Sequence, residues 1–111
     1  MTKKRNTAQY DLFLVKQLVK EGCYSETKKS TRWLSSHGYD PSIAREIVLS
    51  LAGEEFVESL APVRQGGLWA DVYRCDFENE EIEGLFYVKF VMSEEQLVVT
   101  LLSCKEWGYG W

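Results

Sequence analysis

Two stretches of the sequence carry side chains whose types and spacing could support chemistry. Between Leu68 and Arg74, a tryptophan, an aspartate, a tyrosine and an arginine fall within six residues. Farther along, Tyr87 and Lys89 are two residues apart in an apolar segment, so a β-strand there would place both on one face. Such a grouping indicates a binding or reactive surface. The same residues also suit a half-buried strand whose aromatics fill the core and whose arginine faces solvent.

The cysteines and the histidine do not suggest a metal site. Cys23, Cys75 and Cys104 are widely separated, and the single histidine, His37, is adjacent to none of them. No pair has the CxxC or HxxxH spacing that is typical of structural zinc. The sequence therefore predicts no metal and no cofactor, and it predicts free thiols that pack as small apolar side chains.

The composition indicates one globular domain over residues 1–111. Hydrophobic residues make up 45% of the chain and charged residues 27%, values that are ordinary for a folded protein of this length. No apolar run approaches the ~18 residues that a membrane-spanning helix needs. The basic N-terminus leads into an amphipathic segment, which predicts no secretory signal, no membrane association and a cytoplasmic location.

Charge is distributed unevenly along the chain. Residues 1–32 hold eight Lys and Arg against three acids, whereas residues 33–111 hold five against fourteen. This asymmetry suggests a basic face for an anionic partner and an acidic face for another purpose. The ordinary alternative is that both charge runs simply solvate the surface.

Apolar residues recur at helical spacing in the first half of the chain. The pattern predicts helices over residues 7–21, 27–36 and 41–51, and a short helical turn over residues 53–62. Gly22 ends the first helix, and Asp40 with Pro41 supplies the N-cap and first position of the third. The segment Cys23–Ser25 is expected to form a short extended link or an edge strand.

The second predicted helix begins with a cluster of basic residues, namely Lys28, Lys29 and Arg32. Positive charge in a first turn opposes the helix dipole and costs a small amount of stability. The cost suggests that the charge has another use.

The second half of the chain predicts three strands, over residues 68–77, 85–92 and 96–105, joined by short links as in an antiparallel meander. The chain is therefore predicted to adopt an α+β fold with N-terminal helices on one face of a C-terminal, mainly antiparallel sheet. On the second strand, Phe86, Val88 and Phe90 should face the helices, which leaves Tyr87 and Lys89 on the open face.

The other two strands and their flanks are less regular. Alternation along the first strand places Tyr73 and Arg74 on opposite faces, so both cannot line one site. The third strand does not alternate and is expected to be central and covered on both sides. Residues 63–67 form a connector, and the aromatic tail over residues 106–111 is expected either to pack on the sheet or to act as a binding hook.

Several segments, taken in order, resemble one protein family. Leu51–Leu60 followed by Leu68–Arg74 resembles the MqsR (motility quorum-sensing regulator) toxins. Gly84–Lys89 is similar to the G-x-x-Y-x-K strand of that family, and Leu102–Lys105 lies where its members end their last strand with Ser-Phe and then Lys or His. The first helix and Gly22 also resemble the N-terminal part of the family, so the resemblance covers most of the chain.

The resemblance implies a type II toxin–antitoxin toxin with a RelE-like α+β fold. Members of the family are metal-independent endoribonucleases that cleave mRNA at short sequences, and a cognate antitoxin, here expected to contain a helix-turn-helix, silences them. The reaction needs a base for the 2′-hydroxyl, an acid for the leaving 5′-oxygen, and cations or donors for the phosphorane. In such toxins Lys, Tyr, Arg and Gln replace paired histidines.

The resemblance assigns candidate residues position by position. Tyr87 and Lys105 correspond to catalytic positions of the family. Glu58 replaces a family lysine, and Ala70 replaces a family glutamine, although a glutamate could itself act as a base. The candidate RNA-binding residues are Arg74, Lys89, Tyr73, Lys28, Lys29 and Arg32.

Glu58 and Ala70 leave a second hypothesis open. A scaffold of this type that has lost a lysine and a glutamine could serve as a protein-binding module, such as a nucleic-acid mimic or an inhibitor of a nucleic-acid enzyme. The candidates also have ordinary explanations, since Tyr87 could be a surface aromatic, Lys89 a cross-strand ion pair and Lys105 a solvated strand end.

Overall fold

Helices and strands are mixed in the N-terminal half of the chain, and the C-terminal half consists of strands. The computed structural model describes residues 3–61 and 68–108. The elements within these ranges are β1 (Lys3–Arg5), α1 (Leu12–Lys20), β2 (Tyr24–Glu26), α2 (Arg32–Ser36), α3 (Ile43–Ser50), a 3₁₀ turn (Gly53–Glu55), β3 (Phe56–Ala61), β4 (Ala70–Glu78), β5 (Glu83–Ser93) and β6 (Val98–Glu106). The predicted α+β class is confirmed.

The strands form one sheet in the order β1-β3-β4-β5-β6-β2. The meander from β3 to β6 is antiparallel throughout, as is the pairing of β1 with β3. The outermost strand, β2, runs parallel to β6. The predicted meander and the predicted edge strand after Gly22 are therefore confirmed, although β2 spans Tyr24–Glu26.

The core lies between one face of the sheet and the three helices of the described residues. Phe86, Val88 and Phe90 project from β5 into this core and are almost completely buried. Tyr87 and Lys89 alternate with them on the opposite face and are half-buried. The predicted facing of this strand is confirmed, because the period-two pattern of β5 separates apolar from polar side chains.

The first helix begins at Leu12, five residues later than its predicted start. The side chain of Asp11 caps it by accepting a hydrogen bond of 2.9 Å from the backbone N–H of Phe13. The preceding N–H groups of Gln9 and Tyr10 each donate a bond of 3.0 Å to the carboxylate of Asp71 on β4. This long-range anchor holds the segment out of the helix.

The basic segment before α2 is a turn, because its backbone bonds to the sheet. The N–H of Thr27 donates to the carbonyl of Leu101 at 3.1 Å, and the carbonyl of Ser30 accepts from the N–H of Cys104 at 2.9 Å. The helix therefore begins at Arg32. Lys28 and Lys29 consequently lie outside the helix and do not oppose its dipole, contrary to the prediction.

The third helix begins at Ile43, later than its predicted start. The N-cap of this helix is Ser42 and not the predicted Asp40. The Asp40 carboxylate instead stabilises the preceding turn, because it accepts a hydrogen bond of 2.9 Å from the N–H of Ser42. This bonding lowers the pKa of Asp40 below its usual value. The first helix ends as predicted, with Gly22 at a φ of +86°.

The helical turn predicted for residues 53–62 is wrong beyond Glu55. Residues 56–61 form β3, which pairs with both β1 and β4. The Glu55 side chain closes the 3₁₀ turn by accepting from the N–H of Ala52, and it also accepts from the N–H of Asp76 on β4. These two bonds direct the following residues along the sheet, so Glu58 lies on a strand.

The prediction that the third strand is covered on both sides is also wrong. Val99, Leu101 and Cys104 of β6 are buried against the helices, whereas Thr100 and Lys105 are half-buried on the other face. The register between β5 and β6 shifts by one residue at the middle of the pairing. This bulge, and not burial on both faces, interrupts the alternation.

Two predicted features fall in undescribed parts of the chain. The connector over residues 63–67 and the last three residues of the aromatic tail lie outside the described residues. In the part of the chain that is described, no helix has the length and apolar character needed to cross a membrane.

Candidate functional site

The sheet register aligns three candidate side chains across the open face. Arg74 on β4 pairs with Tyr87 on β5, and Tyr87 pairs with Lys105 on β6. Directly opposed residues on neighbouring strands have Cβ atoms ~4.5–5.5 Å apart. The row therefore brings together a guanidinium, a phenol and an ammonium on adjacent strands.

A second row lies one step along the same face. Glu58 on β3 pairs with Val72, Val72 with Lys89, and Lys89 with Ser103. The two rows together juxtapose one carboxylate with two lysines, one arginine and one tyrosine. This is the set of groups that proton transfer and phosphate binding require.

Tyr87 contacts a cation and a second aromatic ring. The Lys105 ammonium nitrogen lies 5.8 Å from the centre of the Tyr87 ring. The Trp107 ring is centred 5.9 Å from the same ring and tilted by 39° to it, and the Arg74 guanidinium carbon lies 5.5 Å from the centre of the Trp107 ring. Sequence reasoning placed Trp107 in the tail and did not assign it to the site. Its position two residues after Lys105, directly beyond the end of β6, was the available signal.

A basic cavity of about 480 Å³ adjoins the row at its β6 end. Lys29 from the turn and Arg32 from α2 line one side, and Lys89 and Lys105 line the other. Among the described residues that line this cavity, none is acidic. The backbone bond from Cys104 to Ser30 brings the basic turn beside β6. The sheet thus combines the basic N-terminal segment with lysines from the otherwise acidic C-terminal part.

Lys28 is exposed in the same turn but does not line the cavity. Tyr73 is a correction to the predicted site, because its side chain is only 1% exposed and lies on the helix-facing side of β4. Its ring stacks on Phe90 with centroids 5.7 Å apart, and burial raises its pKa to about 12. Tyr73 is a core residue and cannot contact RNA from this position.

Burial and nearby charge shift the pKa values of the central groups. Burial raises the pKa of Tyr87, and the negative charge of Glu58 raises it further, so the phenol keeps its proton. Burial lowers the pKa of Lys89. Burial and the charge of Lys89 lower the pKa of Lys105. The tyrosine is therefore a persistent hydrogen-bond donor, whereas the lysines release a proton more readily than usual.

The two positions that depart from the family pattern have different environments. The Glu58 carboxylate lies 3.8 Å from the Lys4 ammonium, and its side chain is 29% exposed, so it is accessible to a ligand. Ala70 is fully buried and pairs with Leu60 on β3, so it contributes no polar group to the face.

No metal-binding cluster occurs within residues 3–61 and 68–108, where His, Cys, Asp and Glu form no group of three or more suited to an ion. The three cysteines are free thiols.

Comparison with protein families matches most of the chain to a known family. The family described as "Motility quorum-sensing regulator, toxin of MqsA" matches residues 7–106. The matched range includes the two rows of the open face and ends one residue before Trp107. A search of curated proteins finds no match to the chain.

Proposed function

Because the chain belongs to the MqsR family of toxins, which are toxins of MqsA, we propose that it acts as a metal-independent, sequence-preferring mRNA endoribonuclease. Family membership makes it a toxin of a toxin–antitoxin pair and implies an antitoxin partner. The cleavage of mRNA, a helix-turn-helix in the antitoxin and a cytoplasmic site of action are parts of the proposal.

One observation carries the proposal. The cavity lined by Lys29, Arg32, Lys89 and Lys105 lies at the β6 end of the row that also contains Arg74 and Tyr87. Phosphate neutralisation supplies most of the affinity of proteins for nucleic acids. A single strand of RNA in this cavity would place a phosphodiester next to groups that can donate and accept protons.

The proposed reaction transfers two protons and replaces one phosphorus–oxygen bond by another. The Glu58 carboxylate takes the proton of the 2′-hydroxyl, and the 2′-oxygen forms a bond to the adjacent phosphorus. The bond from phosphorus to the 5′-oxygen breaks, and the Lys105 ammonium gives a proton to that oxygen. The products are a 2′,3′-cyclic phosphate and a 5′-hydroxyl.

The positions of these groups in the sheet support the assignment. In-line displacement needs the base and the acid on opposite sides of the phosphorus, and Glu58 on β3 and Lys105 on β6 flank Tyr87 from opposite sides. Their backbones are three strand spacings apart, roughly 14 Å, which leaves room for a phosphodiester between the side chains. The lowered pKa of Lys105 brings it nearer to the working pH of a general acid.

Tyr87 and Lys89 stabilise charge in this scheme. The Tyr87 hydroxyl stays protonated and donates a hydrogen bond to a phosphorane oxygen. Lys89 contributes an ammonium next to Lys105 in the cavity. Because Lys89 also lowers the pKa of Lys105, it serves both phosphate binding and proton transfer.

A second candidate function is favoured by the acid at Glu58 and the buried Ala70. These residues suit a catalytically impaired MqsR-like module that binds a protein, as a nucleic-acid mimic or an inhibitor of a nucleic-acid enzyme. Controlled induction in cells separates the two functions. The ribonuclease arrests growth and depletes mRNA, and the variant Lys105→Ala does neither. A wild-type protein that leaves both growth and mRNA unaffected contradicts the enzyme and favours the module.

A further inference from the structure

Trp107 extends the row of Arg74, Tyr87 and Lys105 beyond the end of β6. The N–H of Trp107 donates a hydrogen bond of 2.8 Å to the carbonyl of Leu85, which fixes the position of the residue relative to β5. Its ring contacts Tyr87 and Arg74, both of which project from the open face. Trp107 is therefore held on the site side of the sheet and is not a member of the core cluster.

The indole of Trp107 is half-buried beside charged groups. A large rigid ring needs few torsions to be fixed and offers a flat surface at a low entropic cost. The Arg74 guanidinium carbon lies over the Trp107 ring, 5.5 Å from its centre and within cation–π range, so a positive charge stands next to the ring. Protein sites for single-stranded nucleic acids combine these same two components, aromatic rings and backbone-tracking cations.

We propose that Trp107 is a base-stacking platform, which holds the nucleobase of a nucleotide next to the phosphate bound by Lys89 and Lys105. This inference rests on the proposed ribonuclease function. The position of Trp107 supports it, because the residue follows Lys105 by two residues, just beyond the end of β6, and its ring contacts Tyr87 and Arg74 on the open face. Leu85, an exposed apolar residue, accepts the backbone bond from Trp107 and lines a cavity together with it, so it adds apolar surface next to the proposed platform.

Stacking and packing predict different results. If Trp107 only covers the end of the sheet, its removal weakens every ligand equally. If it stacks on a base, its removal matters only when that base is present. A ligand that lacks one base therefore distinguishes the two roles.

The test uses the full chain and a short RNA oligonucleotide that the wild-type protein cleaves, with a 2′-deoxy sugar at the cleaved nucleotide so that no attack occurs. Dissociation constants are measured for this probe and for versions with one abasic position on either side of the uncleavable linkage. We expect one abasic position to weaken wild-type binding about tenfold, which is the order of affinity that stacking of one base contributes. Trp107→Ala should weaken binding of the intact probe by a similar factor and have no further effect on that abasic probe.

The controls separate stacking from folding and charge. Trp107→Phe should retain part of the affinity, and Phe13→Ala, which removes an aromatic side chain that is 77% exposed on α1, should retain all of it. The salt dependence of binding should be unchanged in Trp107→Ala, because stacking releases no counterions. Equal losses for intact and abasic probes, or no loss in either measurement, would overturn the inference. If the wild-type protein cleaves no RNA, the proposed function itself fails.

Discussion

Tyr87 and Lys105 lie directly opposite each other on β5 and β6, and the Lys105 ammonium nitrogen is 5.8 Å from the centre of the Tyr87 ring. The pKa values of the two side chains are shifted in opposite directions. The pKa of the phenol is raised and that of the ammonium is lowered, each chiefly by burial. A persistent donor thus stands next to a group that gives up its proton more easily, which is the division of roles that phosphodiester cleavage needs.

The Tyr87 hydroxyl should matter for catalysis and little for folding. Tyr87→Phe keeps the ring that contacts Trp107 and removes one donor to the phosphorane. We expect the single-turnover cleavage rate to fall about 10²- to 10³-fold, as for loss of one transition-state donor. The melting temperature should stay near that of the wild type.

A matched control for this change is Tyr24→Phe. The Tyr24 hydroxyl donates to Glu26 at 2.6 Å on the edge strand β2, away from the two rows of the site. Its removal should leave the cleavage rate unchanged. A Tyr87→Phe variant that cuts as fast as this control would remove Tyr87 from the mechanism.

Two substitutions at Glu58 distinguish a carboxylate that acts as the general base from one that merely impairs the site. If the carboxylate takes the 2′-hydroxyl proton, both Glu58→Gln and Glu58→Lys should lower the cleavage rate by about 10²- to 10⁴-fold. If the acid merely impairs an ancestral site, Glu58→Lys should raise the rate by restoring the lysine that the family resemblance assigns to this position. Single-turnover cleavage assays of both variants distinguish these outcomes.

Replacing Lys89 by an apolar residue should raise the stability of the protein and weaken its binding of RNA. Burial lowers the pKa of Lys89 below the ordinary value of 10.5, so at neutral pH the folded protein bears the cost of a partly buried charge. Between the lowered value and 10.5 the unfolded chain binds more protons, and stability therefore rises with pH in that window. Lys89→Met should melt at a higher temperature than the wild type at pH 7 and bind RNA more weakly.

The stability gain from Lys89→Met should disappear above pH 10.5, where the wild-type lysine is neutral in both states. Lys20→Met, at an exposed position in the last turn of α1, should show neither the gain nor the loss of affinity. A Lys89→Met protein that is less stable than wild type at pH 7 would contradict the predicted cost of burial.

Much of this site could be predicted from local patterns. Alternation along β5 identified the open face and placed Tyr87 and Lys89 on it, because each strand residue follows a period of two. The same alternation placed Tyr73 and Arg74 on opposite faces, but β4 is buried on both sides from Ala70 to Tyr73, so its pattern does not reveal that Tyr73 is the residue that faces the helices. Local patterns are least informative where a strand is covered on both faces.

Contacts between distant segments could not be predicted. The Asp71 carboxylate accepts hydrogen bonds from the backbone of Gln9 and Tyr10 and from the hydroxyl of Ser59, and these bonds delay the start of α1. The parallel pairing of β2 with β6 likewise brings the basic turn to Lys105. Neither pairing leaves a signal within a short window of sequence.

The basic cavity should determine the salt dependence of RNA binding. Lys29 and Arg32 line it from the helical side, are exposed, and are not members of the core cluster. For single strands, the logarithm of affinity falls with the logarithm of salt concentration by a slope of about 0.7 for each phosphate neutralised. Replacing both residues by alanine should reduce the slope by about 1.4, measured with the uncleavable oligonucleotide.

Lys20→Ala is the corresponding control, because it removes a positive charge from α1 at a position that does not line the cavity. Its slope should equal that of the wild type. If the double variant has an unchanged slope, the RNA backbone does not occupy the cavity.

The most direct test of the ribonuclease account is the cleavage of single-stranded RNA by the purified protein in excess chelator, with the chemical identity of the product ends determined. We expect 2′,3′-cyclic phosphate and 5′-hydroxyl ends from the wild type, and a rate about 10²- to 10⁴-fold lower for Lys105→Ala, the loss expected for a general acid. Absence of cleavage by the wild type, or equal cleavage by both proteins, would contradict it.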